Sequence, residues 1–126
     1  MPKFEKKKIV AVLEDLLFTV KISDVAKRTG LEVDFVKSEL DAKDKAKQNP
    51  LLIILDLNAR AVDAVKLITE LKADTETKAV SLIGYVSHVQ GELKQKAHEA
   101  GCDIVMARSA FSQNLPMLLK RYAGAA

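Results

Sequence analysis

The residues of this chain that could carry chemistry fall into four short clusters. They are Glu14-Asp15, Asp56 with Asn58 close behind, Gly84-Tyr85 followed by Ser87 and His88, and Arg108-Ser109. Each cluster follows an apolar run, at residues 9–13, 51–55, 80–83 and 104–107. If those runs are parallel strands, all four clusters lie at strand carboxyl ends, where ligand groups gather in open sheets. Three carboxylates and a guanidinium then share one rim. Carboxylates held together repel unless a cation sits among them, and hard oxygen ligands suit magnesium. The chemistry to expect is that of a divalent-ion or phosphate-related site.

The other reactive side chains point elsewhere. His88 and His98 are too far apart for one helix face and read as solvated residues. Cys102 is alone, which excludes an internal disulfide and a cysteine-based zinc site; it reads as a small core residue. No glycine-rich phosphate loop is present and no Ser-His-Asp arrangement assembles.

The elements that must position the rim follow from periodicity. Residues 9–13 form a continuous apolar run with β-branched members, which suits a strand buried on both faces. Phe18, Ile22, Val25 and Ala26 recur at helical spacing before Gly30. Leu31, Val33 and Phe35 alternate with Glu32 and Asp34, as in an edge strand. Ser38 is placed to cap a lysine-rich helix that Asn49-Pro50 ends. The run at 51–55 is the most apolar and is expected mid-sheet. A helix over 62–73, a short strand over 80–83, a helix over 92–100 and a strand over 104–107 follow. Phe111, Leu115, Leu118, Leu119 and Tyr122 mark a closing helix, with Pro116 tolerable only near its first turn. Strand–helix alternation of this kind predicts an α/β fold with right-handed crossovers: a doubly wound five-stranded parallel sheet with helices on both faces. No repeat or linker interrupts it, so residues 1–126 read as one domain.

Composition bounds the function classes. The chain has 126 residues, 48% of them hydrophobic and 29% charged, with a formal net charge of +3. These are the proportions of a globular protein. Lysines and acids are interspersed, with no one-sided basic stripe, so nucleic acid is not expected as a partner. The basic start (Lys3, Lys6, Lys7, Lys8) runs straight into a strand and does not read as a signal peptide. No apolar run is long enough to cross a bilayer. A cytoplasmic protein with no membrane partner is the expectation.

Leu55-Asp56-Leu57-Asn58 followed by Asp63-Ala64, and Gly101-Cys102-Asp103 before the last strand, resemble the motifs of response-regulator receiver domains, a flavodoxin-like fold. The resemblance covers nearly the whole chain. It implies that Asp56 is the phosphoacceptor, that Glu14, Asp15 and Asp56, with the backbone carbonyl of Asn58, supply a magnesium site, and that Arg108 stands at the family's lysine position. It also implies a signalling protein as partner, a histidine kinase among the candidates, and a monomer or weak homodimer. Ser87 and Ser109 are the hydroxyls at hand for binding on the rim.

The departures from the family pattern are informative. The acidic pair falls on Leu13 and Glu14, or on Glu14 and Asp15 with a shorter loop. The strand-four hydroxyl position falls on Gly84, the lysine is Arg108, the following proline is Ser109, and the aromatic before it is Val105. Arg108 keeps the charge but replaces a compact ammonium with a planar fork. Gly84 and Val105 offer no contacts that would differ between two states, so switching is expected to be impaired or absent. The reading is an atypical stand-alone receiver that acts through protein–protein contacts and has no enzyme activity beyond self-catalysed phosphoryl acceptance. With no output domain read after the closing helix, output means docking to a partner. Two alternatives stay open: a phosphorylatable, magnesium-dependent receiver, and a small-ligand binder or enzyme on the same scaffold.

Overall fold

The computed structural model describes residues 7–87 and 91–124. His88 and the basic residues Lys3 and Lys6 lie outside the described residues. Five strands and five helices alternate: β1 (Lys7–Val12), α1 (Leu16–Arg28), β2 (Leu31–Val36), α2 (Glu39–Ala46), β3 (Leu52–Asp56), α3 (Ala64–Ala73), β4 (Ser81–Val86), α4 (Gly91–Ala100), β5 (Ile104–Ala107) and α5 (Arg108–Gly124). All neighbouring strands pair in parallel, in the order β2-β1-β3-β4-β5. Strand order reverses between β1 and β3, which puts the crevice for ligands at their carboxyl ends.

Alternation along each strand divides the interior into two cores. On one face Val10, Val12, Ile53, Leu55, Leu82 and Val86 pack against α2, α3 and α4. On the other, Ile9, Ala11, Ile54, Ile83 and Tyr85 pack against Phe18 and Ile22 of α1 and Phe111 and Leu115 of α5. β1 is buried on both faces, β3 is central, and β2 is a half-buried edge, as the apolar patterns predict. The four spaced residues of α1 are the four it buries. Ser38 accepts the Asp41 N–H at 3.1 Å and caps α2.

Two expectations change. β4 runs on to Val86, so Gly84 and Tyr85 lie within the strand instead of following it. The pairing of Leu55 with Gly84 and of Asp56 with Tyr85 holds them there. α5 begins at Arg108, directly after β5, which leaves Pro116 in its interior. A mid-helix proline costs about 3 kcal/mol. Phe111, Leu115, Leu118 and Leu119 are buried on both sides of it, and each such side chain contributes about 1.5–3 kcal/mol. Burial therefore carries the helix through the proline.

Candidate functional site

Asp56 ends β3 at the carboxyl edge of the sheet, half-buried. Its Oδ1 accepts the Asn58 N–H at 2.9 Å, which folds the chain back over the carboxylate. Burial, first, lifts its pKa above the ordinary aspartate value. The Asn58 N–H and the Arg108 charge oppose that shift, while Asp15 and Glu14 add to it. The carboxyl is thus poised by partial desolvation among like charges.

The first acidic cluster divides. Leu13 is core. Glu14 is exposed and its Oε1 accepts the Arg60 N–H at 3.0 Å, which ties the β1 end to the loop after β3. Asp15 caps α1, accepting the Leu17 N–H at 2.8 Å and the Phe18 N–H at 3.4 Å through Oδ1. Its Oδ2 accepts a hydrogen bond from Arg108 Nη2. Arg108, which the resemblance puts at the family's lysine position, thus bonds the acid that caps α1. Starting α5 at Arg108 aims the fork across β5 and β4 toward α1, and its Cζ lies 4.3 Å from the centre of the Phe18 ring. Cap, ion pair and cation–π contact hold one another in place.

Asn58 Oδ1 accepts from the Ser87 N–H at 2.8 Å and from the Ser87 Oγ at 3.1 Å, so both residues are spent on closing the loop after β3 onto the end of β4. Ser109, the other hydroxyl at hand for binding, is exposed in the first turn of α5. Cys102 is buried, with its thiol pushed up to about 11 by burial, as suits core packing.

The expected ligand set of Glu14, Asp15, Asp56 and Asn58 does not form. Among the described residues no group of three His, Cys, Asp or Glu is placed to hold a metal ion. Asp15 is turned to a guanidinium and a helix end, and Glu14 to a backbone amide. The residues present do not fit a resident magnesium, which demands near-octahedral oxygen ligation.

Sequence analysis put Tyr85 after the fourth strand, whereas the structure puts it within β4, beside Asp56. Gly84 faces away: a Cβ there would lie 3.0–3.1 Å from Leu57 side-chain atoms, in the core on the far side of the sheet. The residue in register with Asp56, on its own face, is Tyr85. It is 1% exposed and stacks on Phe111 at 4.8 Å and against Phe18 at 5.1 Å. Continuing the strand alternation from Ile83 to Val86 would have found it. A cleft of about 530 Å³ lies at the opposite, amino-terminal end of the sheet. Its Lys8 and Lys45 pair with Glu32 and Asp34 at 3.5–4.0 Å.

No family model matches the chain. The polar-differentiation response regulator DivK of Brucella ovis is 24% identical over 119 residues, covering 93% of this chain and 97% of that protein. The crystal structure of the phosphorylated cyanobacterial phytochrome response regulator RcpA matches with a TM-score of 0.79 at 20% identity, over 97% of each chain. The receiver domain of a sensor histidine kinase from Pseudomonas aeruginosa, solved with magnesium coordinated in its active-site cleft, matches with a TM-score of 0.80 at 20% identity, over 96% of this chain and all of that one. The fold is that of the response-regulator receiver domains, and the chain is a distant relative of curated response regulators.

Proposed function

We propose that this receiver-fold chain is a signal-transduction module that works by contact with a protein partner, and that change at Asp56 spreads little through β4, β5 and α4. The pair of Arg108 with Asp15 carries this reading. The cation nearest the rim is held by a helix cap and by an aromatic face, so a new anion at Asp56 would have to break those contacts to draw it over. Val105, at the position expected to supply an aromatic, is an aliphatic side chain packed on the core. A shift between two states needs contacts that differ between them, and these residues offer few. The face beside the rim suits protein contact: Leu16, Leu17 and Val20 of α1 are 70%, 70% and 65% exposed. No described helix is long and apolar enough to cross a membrane. A single domain and a cytoplasmic setting are part of the same proposal.

The experiment is incubation with acetyl phosphate, followed by intact mass and amide spectra. Shifts reaching through β4, β5 and α4 would overturn restrained switching. Their confinement away from that side supports it.

A second reading is favoured by the geometry of Asp56 itself. One carboxylate oxygen is fixed by the Asn58 N–H at 2.9 Å, at a half-buried strand end. A carboxylate oxygen would attack the phosphorus of an acyl phosphate or phosphohistidine. The new P–O bond forms as the donor's P–O or P–N bond breaks, and the donor leaves with that electron pair. A mass gain in the same experiment that is lost in Asp56→Asn establishes acceptance; no gain removes it.

A further inference from the structure

β2 is an edge of the sheet, and among the described strands it pairs with β1 alone. The direction of its backbone groups follows from the register. The Leu57 N–H donates to the Tyr85 carbonyl, which turns the backbone of Ile53 and Leu55 toward β4 and that of Leu52 and Ile54 toward β1. Carried through the β1 pairings, this alternation turns Ile9 and Ala11 toward β2, Glu32, Asp34 and Val36 toward β1, and Leu31, Val33 and Phe35 outward. The outward N–H and C=O groups have no partner among the described residues. Exposed edges are ordinarily blunted by a proline, a bulge or a very short strand. β2 has none of these and stays in register with β1 from Leu31 to Val36. A cleft also opens along each face of this edge. The cleft of about 530 Å³ lies over Glu32 and Asp34 on the α2 side. On the other side, Ser23 and Lys27 of α1 with Leu31 and Val33 of β2 border a cleft of about 360 Å³. An added strand needs both features: main-chain groups along the edge and room for alternate side chains on either face.

We propose that β2 takes up an extended segment of a protein partner as a sixth strand, a segment with lysine or arginine at alternate positions and apolar residues between them. Antiparallel pairing, the more stable kind, sets the apolar residues opposite Leu31, Val33 and Phe35, and their main-chain groups bond the outward groups of β2. Val33 and Phe35 are half-buried on the α1 side, so the apolar residues extend an apolar surface already there. The basic residues fall beside Glu32 and Asp34. Lys8 and Lys45 lie 3.5–4.0 Å from these carboxylates, beyond the roughly 2.7–2.9 Å of a charge-assisted hydrogen bond. The acids therefore keep accepting capacity for a cation on their outer flank. They also select against a second copy of this chain. Antiparallel two-fold pairing of two β2 edges would set Glu32 and Asp34 of both copies on one face, like charges opposed. The proposal rests on the reading of this chain as a contact module and gives that module a second surface. Its test uses no phosphodonor, so the two readings fail separately.

The probe is a capped peptide of alternating lysine and valine, titrated into the ¹⁵N-labelled full chain. The Leu31, Val33 and Phe35 amides are expected to shift and to exchange with solvent more slowly. Those of Glu32, Asp34 and Val36, already turned to β1, should hold their exchange rates. That alternation marks an added strand, and loose attraction between charges does not produce it. A peptide of alternating glutamate and valine should not bind. N-methylation of the valines, whose amides face β2, should abolish binding, while N-methylation of the lysines should leave it. Glu32→Gln with Asp34→Asn should weaken binding by up to about tenfold, as the loss of two exposed charge pairs implies. The proposal is overturned by an absence of shifts at millimolar peptide, by slowed exchange without the alternation, or by binding that survives methylation of the valines. Equal binding of the glutamate peptide overturns the charge assignment and with it the proposed partner. Protection of Leu31, Val33 and Phe35 in concentrated protein without peptide shows a second copy on the edge and overturns it as well.

Discussion

Arg108 and Asp15, which stand 93 positions apart in sequence, are joined through Nη2 and Oδ2. The bond ties the first turn of α5 to the cap of α1. Both side chains are partly sheltered, and the guanidinium has a ring face beneath it. The rim of this domain is thus closed by an internal ion pair beside Asp56.

That pair predicts a graded mutational response. Arg108→Ala should lower stability by about 1–2 kcal/mol, since it removes a charge-assisted bond and a cation–π contact together. Asp15→Asn keeps an oxygen to cap α1 and should cost less than Asp15→Ala, which loses the cap as well, worth about 1 kcal/mol. Urea unfolding of the single and double variants measures the coupling. Strictly additive losses for Arg108→Ala and Asp15→Asn would show that the pair contributes nothing.

The raised pKa of Asp56 sets a sign for pH dependence. A carboxyl that holds its proton more tightly when folded binds more protons in the native state than in the unfolded one. Stability therefore falls as pH rises from the ordinary aspartate value through the raised one. Asp56→Asn removes that penalty. The variant should be more stable than the parent at neutral pH, with the difference closing at about pH 3, below the usual carboxylate range. Equal stabilities at neutral pH would contradict the desolvated carboxyl.

Magnesium should perturb the protein weakly, in the millimolar range, and only around Asp56. Asp15 is engaged by Arg108, so amide spectra in a titration should move near Asp56 and leave Leu17 and Phe18, the residues capped by Asp15, in place. Tight binding, or loss of the α1 cap signals on adding the ion, would show that the pair opens to make a metal site.

Adding a hydroxyl at Gly84 should not help the site. The side chain of Gly84→Ser would enter the core against Leu57, within 3.0–3.1 Å of its carbons, on the face away from Asp56. Overpacking of this kind costs about 1–3 kcal/mol. Thermal unfolding should show the loss, and Leu57→Ala in the same chain should return part of it. A Gly84→Ser protein as stable as its parent would place that side chain elsewhere.

Much of the fold was legible because it rests on local pattern. The apolar runs, the spacing of Phe18, Ile22, Val25 and Ala26, and the Ser38 cap are short-range signals, and the strand–helix alternation leaves few topologies open. The identity of Asp56 as the acid ending the central strand came the same way. What the one-dimensional pattern could not decide was direction. Gly84 and Tyr85 are adjacent in sequence, yet a strand sends them to opposite faces, and only the register with β3 shows which of them meets Asp56. The partner of Arg108 was equally hidden. Asp15 and Asp56 are both acids at strand ends, and the choice between them depends on where α5 starts and how it crosses α1. Those are properties of packing between elements distant in the chain, which is why the rim's members could be named from sequence while its bonds could be assigned only in three dimensions.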